Sequence, residues 1–127
     1  MKYYICEHCG NIVEIIRESG APLVCCGQHM TELIPGTSDG AYEKHVPVVT
    51  VNREDVLVEV GAVEHPMIET HYIQWIAIET TYASQRRRLS YTDKPRAEFK
   101  LAEGEEFVAA YEYCNLHGLW KTNEFKK

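Results

Sequence analysis

The chain has 127 residues, 25% of them charged and 45% hydrophobic, proportions that fit an ordinary globular protein and exclude wholesale disorder. Thirteen Lys and Arg against 19 Asp and Glu leave a net charge of −6, which argues against nucleic acid as the partner, because phosphate binding relies on clustered cations. The longest stretch without a charged side chain, Ser19–Thr31, spans 13 residues and contains Pro22, so no segment suits a membrane crossing.

The opening residues, Met1-Lys-Tyr-Tyr-Ile-Cys6, lack the apolar run and small-residue cleavage site of a secretory signal, so a cytoplasmic location is expected. Five cysteines in such a compartment do not make a disulfide framework, since thiols stay reduced there and the count is odd. Four of them, Cys6, Cys9, Cys25 and Cys26, fall in the first 34 residues, a stretch too short to hold a core of its own. Cys6-Glu-His-Cys9-Gly10 is half of a metal knuckle, and Cys25-Cys26-Gly27 is the other half. Adjacent cysteines normally diverge, so one ion held by both is expected to be strained. The four sulfurs suit iron or zinc, and a Cys3His zinc site using His29 is a variant; His8, between two ligands, is expected to point outward.

Ile34-Pro-Gly-Thr-Ser-Asp-Gly-Ala41 clusters turn formers, which puts a boundary near Gly36–Gly40 and gives a module of residues 1–36 and a domain of residues 37–127. The second part alternates in short runs rich in β-branched and aromatic residues: 46–51, 56–60, 71–78, 97–101 and 107–114, with Arg88–Thr92 as a further candidate. Punctuated by Gly, Pro, Asn and Asp, these predict an all-β sandwich. Glu103–Tyr113 is the ambiguous stretch, because its Glu and Ala also suit a helix. Arg86-Arg87-Arg88 reads as a solvated turn, with a docking patch for an acidic protein as the alternative. Trp75 and Trp120 are expected to fill the core, Tyr113 to face away from Cys114, and the tail Thr122–Lys127 to be an unstructured extension.

The second part also carries Cys114-Asn-Leu-His117-Gly118 together with His45, His65 and His71. Each histidine alone is more often a surface or core residue than a ligand. Four of them and a cysteine within the domain, placed where strands meet loops, point to a second metal site.

These motifs make the chain resemble the desulfoferrodoxins, the two-iron class of superoxide reductase. Cys6-x2-Cys9 with Cys25-Cys26 is similar to desulforedoxin. The catalytic domain is matched by Glu43-Lys44-His45-Val46-Pro47, Gly61-Ala-Val-Glu-His65-Pro-Met67, His71-Tyr-Ile-Gln-Trp-Ile76 and Tyr113-Cys114-Asn-Leu-His117-Gly118, in the family's order. The resemblance implies a desulforedoxin-like knuckle followed by an immunoglobulin-like antiparallel β-sandwich. It implies two irons per chain: one on Cys6, Cys9, Cys25 and Cys26, the other on four equatorial imidazoles (His45, His65, His71, His117) with an axial Cys114 thiolate.

The implied activity is superoxide reduction, O2•− + e− + 2 H+ → H2O2, without O2 production. A rubredoxin-like electron donor and a homodimer are implied with it. Glu43 and Lys44 match the family's mobile loop pair, in which the Glu caps oxidised iron and the Lys attracts superoxide and aids protonation. The residues themselves agree. Five donors are too many for structural zinc and leave one octahedral position open. A cation about 6 Å from an incoming anion contributes up to about 3 kcal/mol at an effective dielectric of ~20. Two other readings compete. A cupredoxin-like electron carrier expects an axial Met soon after His117, and none follows; a zinc-binding interaction module leaves the second cluster without purpose.

Overall fold

The computed structural model describes Met1–Lys127, which divide into two compact units, Met1–Ile34 and Pro35–Lys127. The first unit holds five short strands: β1 (Lys2–Ile5), β2 (Ile12–Ile15), β3 (Val24–Cys25), β4 (Gln28–His29) and β5 (Thr31–Glu32). β1 pairs with β2 and β5, while β3 and β4 form a separate hairpin. That hairpin turns through Cys26 and Gly27, both at positive φ (54° and 73°), as two-residue type I′ turns require. The left-handed conformation at Cys26 is the physical form of the expected strain, and it lets adjacent cysteines serve one centre.

The second unit is a β-sandwich. After a single helical turn, α1 (Tyr42–His45), come β6 (Pro47–Asn52), β7 (Asp55–Val60), β8 (Ile73–Thr80), β9 (Ser84–Arg88), β10 (Arg96–Lys100), β11 (Phe107–Cys114) and β12 (Gly118–Thr122). One sheet runs β10-β7-β6 and the other β12-β11-β8-β9, all antiparallel. Strict alternation in β7 sends Val56, Val58 and Val60 inward, where they meet Ile73, Ile76, Ile78 and Ala110 of the opposite sheet. Each such side chain contributes roughly 1.5–3 kcal/mol on burial, so this layer carries the stability of the unit.

Several expectations need correction. The Arg cluster lies on a strand, not a turn: β8 and β9 are joined by Thr80–Ala83, a hairpin without Gly or Pro that composition does not reveal. Residues 89–92 leave the sheet instead, because Ser90 N–H donates to Asp93 Oδ2 (2.7 Å) and closes a turn. The tail is not free. Lys126 bonds in both directions to β6, at Val49 and Val51, and Phe125 packs edge-on to Phe107 at 5.5 Å. Trp120 is buried as expected, packed on His45, whereas Trp75 is half-buried and stacks on Tyr113 outside the inter-sheet cluster.

Candidate metal centres

In the first unit the sulfurs of Cys6, Cys9, Cys25 and Cys26 all lie within 4.8 Å of one another. A tetrahedron with metal–sulfur bonds of about 2.3 Å has edges of about 3.8 Å. Cys9–Cys25 at 3.6 Å and Cys25–Cys26 at 3.9 Å bracket that value, and all four thiols are free. The Cys9 backbone N–H donates to Cys6 Sγ (3.5 Å) and pulls its pKa to about 6, whereas neighbouring thiols, Cys9 first, push Cys26 to about 12. Such a cluster must shed protons on taking up a cation, as metallothiolate centres do. His8 and His29 are exposed and belong to neither donor group, so the Cys3His variant finds no support.

In the second unit, one end of the sandwich collects His45, His65, His71, Cys114 and His117, again within 4.8 Å. Each comes from a different local device. His45 ends α1, and its Nδ1 donates to Ala41 O at 2.7 Å. His65 follows the β7 turn, its Nδ1 donating to Pro66 O at 2.7 Å. His71 is held by a two-way backbone pair with Ile68. Cys114 ends β11, past an irregularity in its pairing with β8, and His117 sits in the turn to β12. Asn115 joins these segments: its Oδ1 accepts from Tyr72 N–H (2.9 Å) and its Nδ2 donates to Thr70 O (3.0 Å).

The four imidazoles form a closed ring. Successive pairs 45–65, 65–71, 71–117 and 117–45 have centroids 4.7–5.0 Å apart and planes 78–89° to one another. With Nδ1 protonated toward a carbonyl, the Nε2 atoms of His45 and His65 carry bare lone pairs, yet they face each other at 3.1 Å. His117 Nδ1 is also 3.1 Å from His45 Nε2, and His71 Nε2 is buried without a partner. Bare lone pairs converging in this way repel unless a cation sits among them. Cis nitrogens bound at about 2.1 Å lie about 3.0 Å apart, so the spacing fits an ion. Cys114 Sγ stands 3.5 Å from His65 Nε2 and 3.8 Å from His117 Nδ1, a single sulfur against one side of the ring.

Burial keeps these donors in ligating form. It lowers the pKa of His45 and His71, and lowers His65 to about 4, so these three imidazoles are neutral. The same desolvation raises the Cys114 thiol, which therefore releases its proton only on meeting a cation. Trp120 backs the ring, stacking on His45 at 5.0 Å and donating from Nε1 to His117 O (3.0 Å). Glu43 and Lys44 are exposed on α1, next to this cluster in the chain.

Three contributors escaped the sequence reading. A Cβ on Gly40 would lie 3.1–3.2 Å from the His117 and His45 side chains, so any other residue there presses on two imidazoles of the ring. Gly61 (φ +87°) abuts the Lys44 carbonyl, while Val63 N–H donates to Glu43 O (3.0 Å), clamping the backbone beneath both loop residues. Gly61→Ala is expected to cost about 1–3 kcal/mol of stability and to displace Lys44 and His45, read as a fall in Tm and in metal content. Glu112 is fully buried with neither carboxylate oxygen bonded, and desolvation raises its pKa well above the ordinary range. A raised folded pKa stabilises below the unfolded value and loses that contribution as pH rises. Glu112→Gln is therefore expected to gain Tm over the parent progressively from acid to neutral pH. A constant difference would contradict it.

Comparison with known proteins agrees with both parts. The desulfoferrodoxin family model matches residues 37–123, and that of the desulfoferrodoxin N-terminal domain matches residues 1–33. A desulfoferrodoxin of Nitratidesulfovibrio vulgaris is 49% identical over 118 residues, covering 93% of this chain and 92% of its own. A superoxide reductase of Pyrococcus horikoshii is 31% identical over 67% of this chain and 89% of its own. In structure, the superoxide reductase of Treponema pallidum superposes with a TM-score of 0.80 at 33% identity, over 94% of this chain and 98% of that one. Matched in both units and over nearly its whole length, the chain belongs to the desulfoferrodoxin family.

Proposed function

We infer that the protein is a superoxide reductase, converting superoxide, one electron and two protons into hydrogen peroxide without producing O2. The observation that carries this reading is the closed ring of four imidazoles with one cysteine sulfur beside it. The cofactors are two iron ions per chain, one for each donor group. In our assignment Cys6, Cys9, Cys25 and Cys26 would hold one, and His45, His65, His71, His117 and Cys114 the other. Residues 1–36 would then be the FeS4 module and 37–127 the catalytic domain. When bound at the second group, iron would supply a one-electron couple, and a thiolate donor would favour electron release.

The protein's own groups do the rest. Backbone carbonyls of Ala41 and Pro66 fix the tautomers of His45 and His65, so the inward nitrogens stay unprotonated. To Lys44, exposed next to His45, we assign attraction of the anion toward an otherwise negative molecule and proton delivery to the product. Glu43, on the same helical turn, offers a carboxylate that can cap the oxidised centre. The family resemblance supports a rubredoxin-like donor and a homodimer, and the five free cysteines fit a reducing cytoplasm.

Metal analysis tests the reading. Protein made with ample iron is expected to carry two irons per chain and, on oxidation, a thiolate-to-iron absorption band; copper, or zinc alone, would overturn it. Cys9→Ser separates the roles of the first centre. We expect loss of that iron and lower stability of residues 1–34, with superoxide consumption by the pre-reduced protein retained.

A further inference from the structure

The arginine cluster is unused by the chemistry above. Arg86, Arg87 and Arg88 are all exposed on β9, and none is paired with a carboxylate. β9 is an open edge of its sheet. Charge on an open edge commonly serves to block strand pairing. Arg86 and Arg88 share the outer face with Ala77 and Trp75, and Arg87 lies on the other face beside Ile76, so three cations flank the open edge and, in a chain of net charge −6, attract what the remaining surface repels.

This edge is also in register with the second metal centre. Across the sheet, Arg88 pairs with Trp75, Trp75 with Tyr113, and Tyr113 is bonded to Cys114. The rings of Trp75 and Tyr113 stack at 5.8 Å, only 8° from parallel. In the next row Arg86 pairs with Ala77, Ala77 with Tyr111, and Tyr111 with Lys121, whose Nζ lies 5.4 Å over the Tyr111 ring. Cations thus border an aromatic pair on the outer face of the sheet, joined through the Tyr113–Cys114 peptide to the sulfur donor on the inner face. Two strand spacings, about 10 Å, separate β9 from β11.

We propose that Arg86–Arg88 form the docking surface for the electron donor, a one-electron carrier protein with an acidic face, and that the Trp75–Tyr113 stack is the last leg of the electron's path to Cys114. The proposal rests on the superoxide reductase reading. One electron leaves the reduced carrier and converts the oxidised ferric centre to ferrous; no atom or proton is transferred.

Zinc-substituted rubredoxin of acidic pI serves as a redox-inert probe, titrated calorimetrically into the oxidised holoprotein at low salt. Replacing all three arginines (Arg86→Glu, Arg87→Glu, Arg88→Glu) is expected to weaken binding at least tenfold and to flatten its salt dependence. Arg→Gln at the same positions gives a smaller loss of the same sign. Iron content and the thiolate band confirm that each variant is folded. In stopped flow with reduced iron rubredoxin, Trp75→Leu is expected to lower the limiting reduction rate several-fold at unchanged affinity, and Trp75→Phe to restore most of it. Affinity within twofold of the parent in both triple variants, or no binding by the parent, overturns the docking surface. An unchanged limiting rate in Trp75→Leu overturns the path. Superoxide consumption by chemically pre-reduced parent protein tests the underlying reading separately.

Discussion

Cys114→Ser is expected to abolish the thiolate-to-iron band and to slow superoxide reduction by more than about a hundredfold. Loss of an outer-shell partner typically costs roughly 10–100-fold, and this change removes the donor atom itself. Stability falls too. Cys114 is fully buried in the core cluster, where a serine hydroxyl without a partner costs about 1–3 kcal/mol. Cys114→Ala removes the sulfur without adding a polar group, so a comparison of the two separates folding from chemistry. Both variants are expected to lose the band and the activity, and the alanine to melt higher. Full activity in either would refute the role given to the sulfur.

Lys44→Ile is expected to leave both irons in place and to slow the encounter with superoxide by about tenfold or more. The side chain is exposed and touches no donor atom, so its effect is electrostatic. Focused charge changes on-rates by roughly 10–10³, and such effects fade with ionic strength. The parent rate should therefore fall steeply as salt rises, while that of the variant stays nearly flat. Pulse radiolysis at low and high ionic strength reads both. Equal rates and equal salt slopes would remove Lys44 from the mechanism.

Much of the site was legible in sequence because its ligand types are chemically unusual and clustered. Cys6-x2-Cys9, Cys25-Cys26 and Cys114-x2-His117 declare themselves by spacing. The runs 46–51, 56–60, 71–78, 97–101 and 107–114, marked by β-branched and aromatic content, overlap β6, β7, β8, β10 and β11. Features that depend on shape were hidden. Gly40 and Gly61 matter because backbone passes within a Cβ's reach of His117 and Lys44, a property of contact rather than composition. β9 was misplaced since its hairpin turns on a Thr80 hydroxyl rather than Gly or Pro, and its arginines look like solvent residues. Trp120 is buried as its type suggests, but that it packs on an imidazole is a matter of contact that composition does not show. The tail pairs with β6 through backbone groups that any residue supplies.

The most direct measurement is the stoichiometry of superoxide consumption by the fully reduced, iron-loaded protein. One hydrogen peroxide formed per superoxide consumed, one electron drawn from the protein and no dioxygen evolved is the predicted outcome. Dioxygen released at half the superoxide consumed would mean dismutation and would contradict a centre built only to give electrons.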